Sequence, residues 1–229
     1  PDRPIAIMEE TSHSVWVNSK ALALAGIKAD TVNPEGGVIL KDKSGQPNGI
    51  LLDAAGDLVF ELAFAPTPEL KKANYQGLLA GLKQVAEHGI TSMVDARLYW
   101  KRGTLEAYDQ VLKEGKLTAR TNISVWAYPG GVSDDEQIAK IKSLYRNDAN
   151  SLLRLNQIKF YSDGILHNTT AALLQPYKKV LASVPSTVGL NYFNKTRLTR
   201  YVTELEKVGY DMHIHTIGDR AVRESLDAI

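Results

Sequence analysis

Apolar positions along this chain follow two different rhythms, and the change falls near Pro66. Before it, short apolar runs are separated by turn residues. Pro4 to Met8 alternates weakly and reads as a strand, and Asn18 to Gly26 reads as a short helix with an asparagine cap and a glycine stop. Gly36 to Asp53 reads as a hairpin: Gly-Gly-Val-Ile-Leu, the polar turn Lys43-Ser44-Gly45-Gln46-Pro47, then Gly-Ile-Leu-Leu-Asp. After it, helices and strands alternate. Pro68 to His88 carries Leu70, Leu78, Leu79, Leu82, Val85 and Ala86 near one face, and Gly89 stops it before the strand Ile90 to Asp95. There follow a helix around Leu105 to Leu112, a strand at Thr121 to Tyr128, a helix at Asp134 to Tyr145 and a strand at Gln157 to Tyr161. A long connection then leads to a helix at Thr196 to Val208 and the strand Asp211 to His215. Four strands in strict alternation with helices predict an α/β fold with a parallel sheet and right-handed crossovers. The expected division is a small β-rich segment over residues 1–65 and the alternating part over 66–229.

Composition narrows this picture without redirecting it. The 229 residues hold 44% apolar and 7% aromatic side chains, as ordinary globular proteins do. Lys plus Arg total 27 against 26 Asp plus Glu, a net charge of +1, so neither nucleic acid nor a membrane is expected as a partner. Zero cysteines exclude disulfides, thiolate metal sites and a cysteine nucleophile. A cytoplasmic location is the expectation; the chain starts at Pro1 rather than Met, which leaves an exported form open.

Candidate chemistry gathers where strands end, the usual place in parallel α/β proteins. In Tyr210-Asp211-Met212-His213-Ile214-His215-Thr216-Ile217-Gly218-Asp219-Arg220, both imidazoles fall on one face of a strand that ends at His215. A pair so placed suits a metal; the plainer reading is hydrogen-bonded core histidines. In Ile158-Lys159-Phe160-Tyr161-Ser162-Asp163-Gly164, Lys159 and Tyr161 share the face opposite Ile158 and Phe160. A lysine buried in a strand is costly without a partner. It is either ion-paired, with Asp95 or Asp163, or converted by CO2 to a carbamate that bridges metal ions. His13 lies in Ser12-His13-Ser14-Val15-Trp16-Val17-Asn18-Ser19, a polar–aromatic loop before a helix. The plain reading there is a loop histidine beside a buried Trp16, with Asn18 a helix cap. His167 lies in the long connection Gly164 to Leu174, of the kind that covers substrates, and is as readily a surface residue. His88 is a helix-end residue. No phosphate-binding loop, dinucleotide fingerprint or nucleophile elbow is present.

Taken in order, His13-Ser14-Val15-Trp16-Val17-Asn18-Ser19-Lys20-Ala21-Leu22, the Gly36–Asp53 hairpin, Gly89-Ile90-Thr91-Ser92, Lys159 with Asp163-Gly164, Thr170-Ala171-Ala172-Leu173-Leu174 with Pro176-Tyr177, and His215 to Ala221 resemble amidohydrolase family 3. This is the group related to N-substituted formamide deformylase, and the resemblance covers residues 1–229. It implies part of a (β/α)8 TIM barrel, about strands two to five, with residues 1–65 as an insertion. It implies one or two divalent ions, zinc foremost, held by Lys159, carboxylated in many members of the wider superfamily, and by His215. His13 and Asp219 take catalytic roles in that mapping, Asp219 and Arg220 orienting the His215 loop; their plain reading is a helix cap and a solvated arginine. Trp16, Asn18, His167 and Arg220 fall at substrate-binding positions. The implied activity is hydrolysis of carbon–nitrogen bonds in amides, formamides or cyclic imides by metal-activated water. The implied partners are a small-molecule substrate, the rest of its own barrel and a second copy in a homo-oligomer.

Four departures accompany the resemblance: the family's first-strand His-x-His, sixth-strand histidine and eighth-strand aspartate have no counterpart, and Thr11-Ser12 replaces the usual Asp-Gly before His13. Half a barrel would also leave two open edges. The chain is therefore expected to be an internal fragment, inactive alone, of one roughly twice as long. The alternatives are a non-catalytic binding or scaffold protein on a degenerate barrel, and a β/α isomerase or deaminase.

Overall fold

The computed structural model describes residues 2–181 and 184–229. Two four-stranded sheets organise them, one antiparallel and one parallel. The antiparallel sheet has the order β1-β2-β4-β3, from β1 (Ala6–Met8), β2 (Ser14–Val17), β3 (Gly37–Lys41) and β4 (Pro47–Asp53). Val15, Ile39 and Leu51 point from it into a small core closed by α2 (Asp57–Ala63) through Val59 and Phe60. The short helix α1 (Ser19–Leu24) begins where expected, with Asn18 accepting from the Ala21 amide.

Two expectations for this region need correction. His13 does not lead into a loop: β2 follows it immediately and pairs with β4, Ser14 opposite Leu52. Trp16 is not buried but 58% exposed, because strand alternation turns it away from the core that takes Val15.

The parallel sheet runs β5 (Ser92–Leu98), β6 (Arg120–Trp126), β7 (Leu153–Tyr161), β8 (Asp211–His215), in that order. Between successive strands lie α4 (Thr104–Lys113), α5 (Asp134–Leu144) and α6 (Lys195–Glu206). α3 (Pro68–Glu87) precedes β5, and α7 (Asp219–Leu226) follows β8. Thr67 caps α3 and Pro68 opens it, where the missing amide of proline costs nothing. Ser133 and Asn194 cap α5 and α6 in the same way. Ile123, Val125, Ile158 and Phe160 point toward the helices and join Val111, Ile141, Leu198 and Tyr201 in the main core. The helix–strand alternation read from the sequence is thus the observed one. Among the described residues the sheet is open and does not close into a barrel.

Strand β7 starts at Leu153, four residues before the position expected from its alternation. The reason is a register shift: Asn122 pairs with Arg154 but Ser124 with Gln157, so an extra residue interrupts the period-two pattern. Strand β5 carries another. Asp95 pairs with Ile123 and Leu98 with Val125, so Ala96 and Arg97 together stand opposite Ser124. No helix of the described residues is long and apolar enough to cross a membrane.

Candidate active site

The face of the parallel sheet turned away from the helices is polar and aromatic. Register builds it in rows: Trp126, Lys159 and His213 are neighbours across β6, β7 and β8, and Tyr161 stands beside His215 one step further along. The Tyr161 and His215 rings stack with centroids 4.3 Å apart. Lys159 and His215 therefore share a face on adjacent strands, staggered by one pair, with the ammonium 5.4 Å from the Tyr161 ring. Ser124 donates to Gln157 Oε1 at 2.9 Å and lies 3.2 Å from His213 Nδ1.

Lys159 is buried, and among the described residues no carboxylate lies within 4 Å of its ammonium. The two acids expected to pair with it are engaged elsewhere. Asp95 accepts from Tyr108 on α4 at 3.1 Å, and Asp163 accepts the backbone amides of Ile217 at 3.0 Å, Gly218 at 2.8 Å and Ala172 at 2.8 Å. Burial, and then the Arg97 cation, depress the Lys159 pKa to about 8. Burial also holds His215 down at about 4, helped by His13 and Lys159 and opposed by its 3.3 Å contact with the Gly164 carbonyl. His213 is lowered by burial and by Lys159. Both imidazoles are thus neutral near pH 7, the form that donates a lone pair.

His13 reaches this cluster from the antiparallel sheet. Its ring lies 5.4 Å from that of His215 and 5.7 Å from that of Tyr161. Its Nδ1 is 2.6 Å from Asp53 Oδ1, a bond in which the imidazole N–H donates and the carboxylate accepts. The Asp53 side chain is fully buried, and its backbone adopts φ 52°, a left-handed conformation uncommon outside glycine. The pairing of β2 with β4 brings these two residues together from 40 positions apart.

The structure brings together His13, Lys159 and His215 and leaves other candidates aside. Asn18 is taken up by backbone, accepting from the amides of Ala21 and Ile5 and donating to the Arg3 carbonyl at 2.8 Å. Trp16 faces solvent, and so does His167, although its neighbour Asn168 donates to the His13 carbonyl and thereby ties the long connection to β2. Asp219 accepts from the Leu174 amide at 2.8 Å and Arg220 donates to the Val188 carbonyl at 3.0 Å. Both act on the connection after β7 and hold it beside the His215 turn. His88 ends α3, with Nδ1 2.8 Å from the Gln84 carbonyl.

Two residues of the site were not anticipated. Asp53 is the partner of His13, and Arg97 donates to Tyr161 Oη at 3.0 Å with its guanidinium over the rings of Trp126 and Tyr161 at 4.3 and 4.5 Å. A cavity of ≈ 20 Å³ lies among Ser12, His13, Asp53, Arg97, Tyr161 and Tyr192. A larger one of ≈ 510 Å³ shares Ala54, Asp57 and Pro129 with it.

As for a metal, the donor set fits in part. The neutral imidazoles of His213 and His215 on β8 are first-row metal donors, and the Lys159 amine on the adjacent β7 becomes one once it loses its proton or is carboxylated, yet among the described residues no three His, Asp or Glu side chains cluster as a metal site.

A parallel sheet with such a face belongs to an α/β class that solved structures share. An uncharacterised metal-dependent hydrolase from Pyrococcus horikoshii OT3 superposes with a TM-score of 0.67 at 23% identity, over 99% of this chain and 42% of that one. The amidohydrolase family model matches residues 1–229, and the chain belongs to that family. It is 32% identical to YtcJ of Bacillus subtilis (strain 168), named as an amidohydrolase, over 100% of this chain and 41% of that protein. It is 26% identical to the N-substituted formamide deformylase of Arthrobacter pascens, again over 100% of this chain and 41% of the relative. The chain thus spans about two-fifths of the length of these curated relatives.

Proposed function

We propose that this chain is the part of a metal-dependent hydrolase that carries two of its metal ligands, Lys159 and His215, and that the enzyme cleaves carbon–nitrogen bonds of amides, formamides or cyclic imides. The observation that carries this reading is a buried lysine that, among the described residues, has no carboxylate within 4 Å, on the same face as two neutral histidines and turned away from the helices. In this reading residues 66–229 form about strands two to five of a (β/α)8 barrel, and residues 1–65 are an insertion that delivers His13. The ion would be zinc, one or two per site, with Lys159 holding it as a carbamate formed with CO2 and His215 as the second ligand from this chain. A bound ion would supply Lewis acidity to the scissile carbonyl and a lowered pKa to water.

The chain's own residues supply the rest. The Asp53 carboxylate orients His13 with its Nδ1–H bound, which leaves the Nε2 lone pair to take a proton from the attacking water and pass that same proton to the leaving nitrogen. Asp163, Asp219 and Arg220 keep the His215 turn and the connection after β7 in fixed relation. Trp16, Asn18 and His167 lie apart from this cluster, and the reading gives them no contact with the reacting bond.

The test is elemental analysis of the natural full-length protein alongside turnover of an N-substituted formamide. One or two divalent ions per chain are expected, lost in Lys159→Ala together with about a thousandfold or more in rate. A protein without stoichiometric metal, or a Lys159→Ala variant that keeps both, would overturn the reading in favour of a scaffold.

A further inference from the structure

Among the described residues, three that are not glycine adopt a positive φ: Ser12 at 62°, Asp53 at 52° and Thr169 at 52°. Such backbone is costly for any residue with a Cβ, most of all for β-branched Thr169, and persists only where the surroundings hold it. The three lie on separate stretches of chain, yet all adjoin one contact. Ser12 precedes His13, Asp53 bonds to its imidazole, and Thr169 follows Asn168. The Asn168 side-chain amide donates to the His13 carbonyl at 3.1 Å and to Ser14 Oγ at 3.2 Å.

The His13 carbonyl accepts a second bond, from the Asp53 amide at 2.8 Å, so both its lone pairs are engaged. With the 2.6 Å bond from Nδ1 to the Asp53 carboxylate, His13 is held by backbone and ring alike. Two of these three bonds come from β4 and fix His13 within the antiparallel sheet. The third, from Asn168, comes from the connection after β7. That connection is fastened to the metal-ligand side: the Gly164 carbonyl lies 3.3 Å from His215 Nε2, and the Gly164 amide donates to the Thr170 carbonyl at 3.2 Å. Asn168 thereby relates His13 to His215, whose rings stand 5.4 Å apart. Docking of residues 1–65 has other anchors: Arg102 binds Glu61 at 3.0 Å and Asp57 at 3.3 Å, and Arg197 binds Glu35 at 3.0 Å. One amide aimed at one carbonyl adds little to that hold. What it controls is where a single imidazole stands.

We infer that Asn168 is a positioning residue: its bond to the His13 carbonyl sets the imidazole, across the two sheets, where Nε2 can exchange a proton with the reacting centre. This rests on the proposed hydrolase reading, which gives His13 a proton to move and leaves open what aims it. The strained backbone at Ser12, Asp53 and Thr169 is sustained by the same set of bonds.

The test uses the natural full-length protein with isotope-labelled histidine. NMR follows exchange of the His13 Nδ1 proton with water, a readout that needs neither metal nor turnover, and His13→Gln identifies the resonance by its loss. Asn168→Ala should speed that exchange about threefold to tenfold, while the thermal midpoint falls by no more than about 4 °C. Asn168→Asp keeps the shape and sets a carboxylate oxygen against the carbonyl, so it should speed exchange at least as much; it also decides the matter should Asn168→Ala fail to fold. Ser14→Ala removes the other acceptor of Asn168 and should leave exchange within about twofold. With an N-substituted formamide as substrate, Asn168→Ala should lower kcat about tenfold to a hundredfold and leave KM within about twofold, because the proton carrier is displaced and substrate contacts are not. Unchanged exchange in a folded Asn168 variant, equal acceleration by Ser14→Ala, or a raised KM with kcat intact would overturn the inference. Absence of turnover in the unaltered protein, alongside the expected exchange rates, would instead sink the hydrolase reading and leave the positioning of His13 by Asn168 standing.

Discussion

The two faces of the parallel sheet are made by alternate residues of the same strands and answer to different demands. On the helix side Ile123, Val125, Ile158 and Phe160 are fully buried and meet Ile141, Leu198 and Tyr201. On the other side Ser124, Trp126, Lys159, Tyr161, His213 and His215 place polar and charged groups where packing alone would favour aliphatic ones. Burying Phe160 contributes to stability, whereas burying Lys159 without a carboxylate detracts from it. Residues one position apart on β7 thus act in opposite directions, and this opposition distinguishes scaffold from site more clearly than either residue does alone.

Substitutions can break that contrast or sharpen it. The largest effect on stability is expected from Phe160→Ala, whose ring packs edge-on against Phe193 and Tyr201 at 5.3 and 5.7 Å. A loss of about 3–5 kcal/mol is expected by denaturant unfolding; a loss under about 1 kcal/mol would mean that the helix side is not the stabilising one. Next comes pH. His215 has a folded pKa of about 4 against an ordinary 6.5, so the unfolded chain binds the extra proton. Its contribution is therefore complete above pH 6.5 and drains away as pH falls from there toward 4. In metal-free protein this amounts to about 2 kcal/mol after allowance for the ring's partial exposure. His215→Gln should flatten that acid slope in a series of thermal melts, and an identical slope in both proteins would count against it. The smallest effect is expected far from both faces. A methyl group at Gly77, on exposed α3, meets nothing within 4 Å, so Gly77→Ala should stabilise by about 0.5–1 kcal/mol. A destabilised Gly77→Ala would mean that this surface of α3 is covered in the natural protein.

How much of this was legible beforehand follows from the range of each signal. The helix–strand alternation after Pro68 is local periodicity, and β8 was legible to its boundaries because Asp211 to His215 alternates without interruption. Lys159 and His215 stood out because an ammonium or an imidazole at the end of an apolar strand contradicts its surroundings. The His13–Asp53 bond left no local trace, since only the pairing of β2 with β4 brings its members together. Arg97 was hidden for a different reason: simple alternation puts it on the face of Asp95, and a single extra residue reverses that. Trp16 and Asn18 carried weight through their neighbours in the motif, while three-dimensional placement turns one to solvent and makes the other a cap.

The carboxylate of Asp163 has a consequence beyond holding shape. It gathers three amides from two stretches of chain, Ala172 on one and Ile217 and Gly218 on the other, around one buried charge. Those amides share a single acceptor, so their protons exchange with solvent through one joint opening rather than three separate ones. The long connection after β7 then inherits the lifetime of the strand end it leans on, and whatever steadies His215 slows the breathing of residues more than forty positions earlier in the chain.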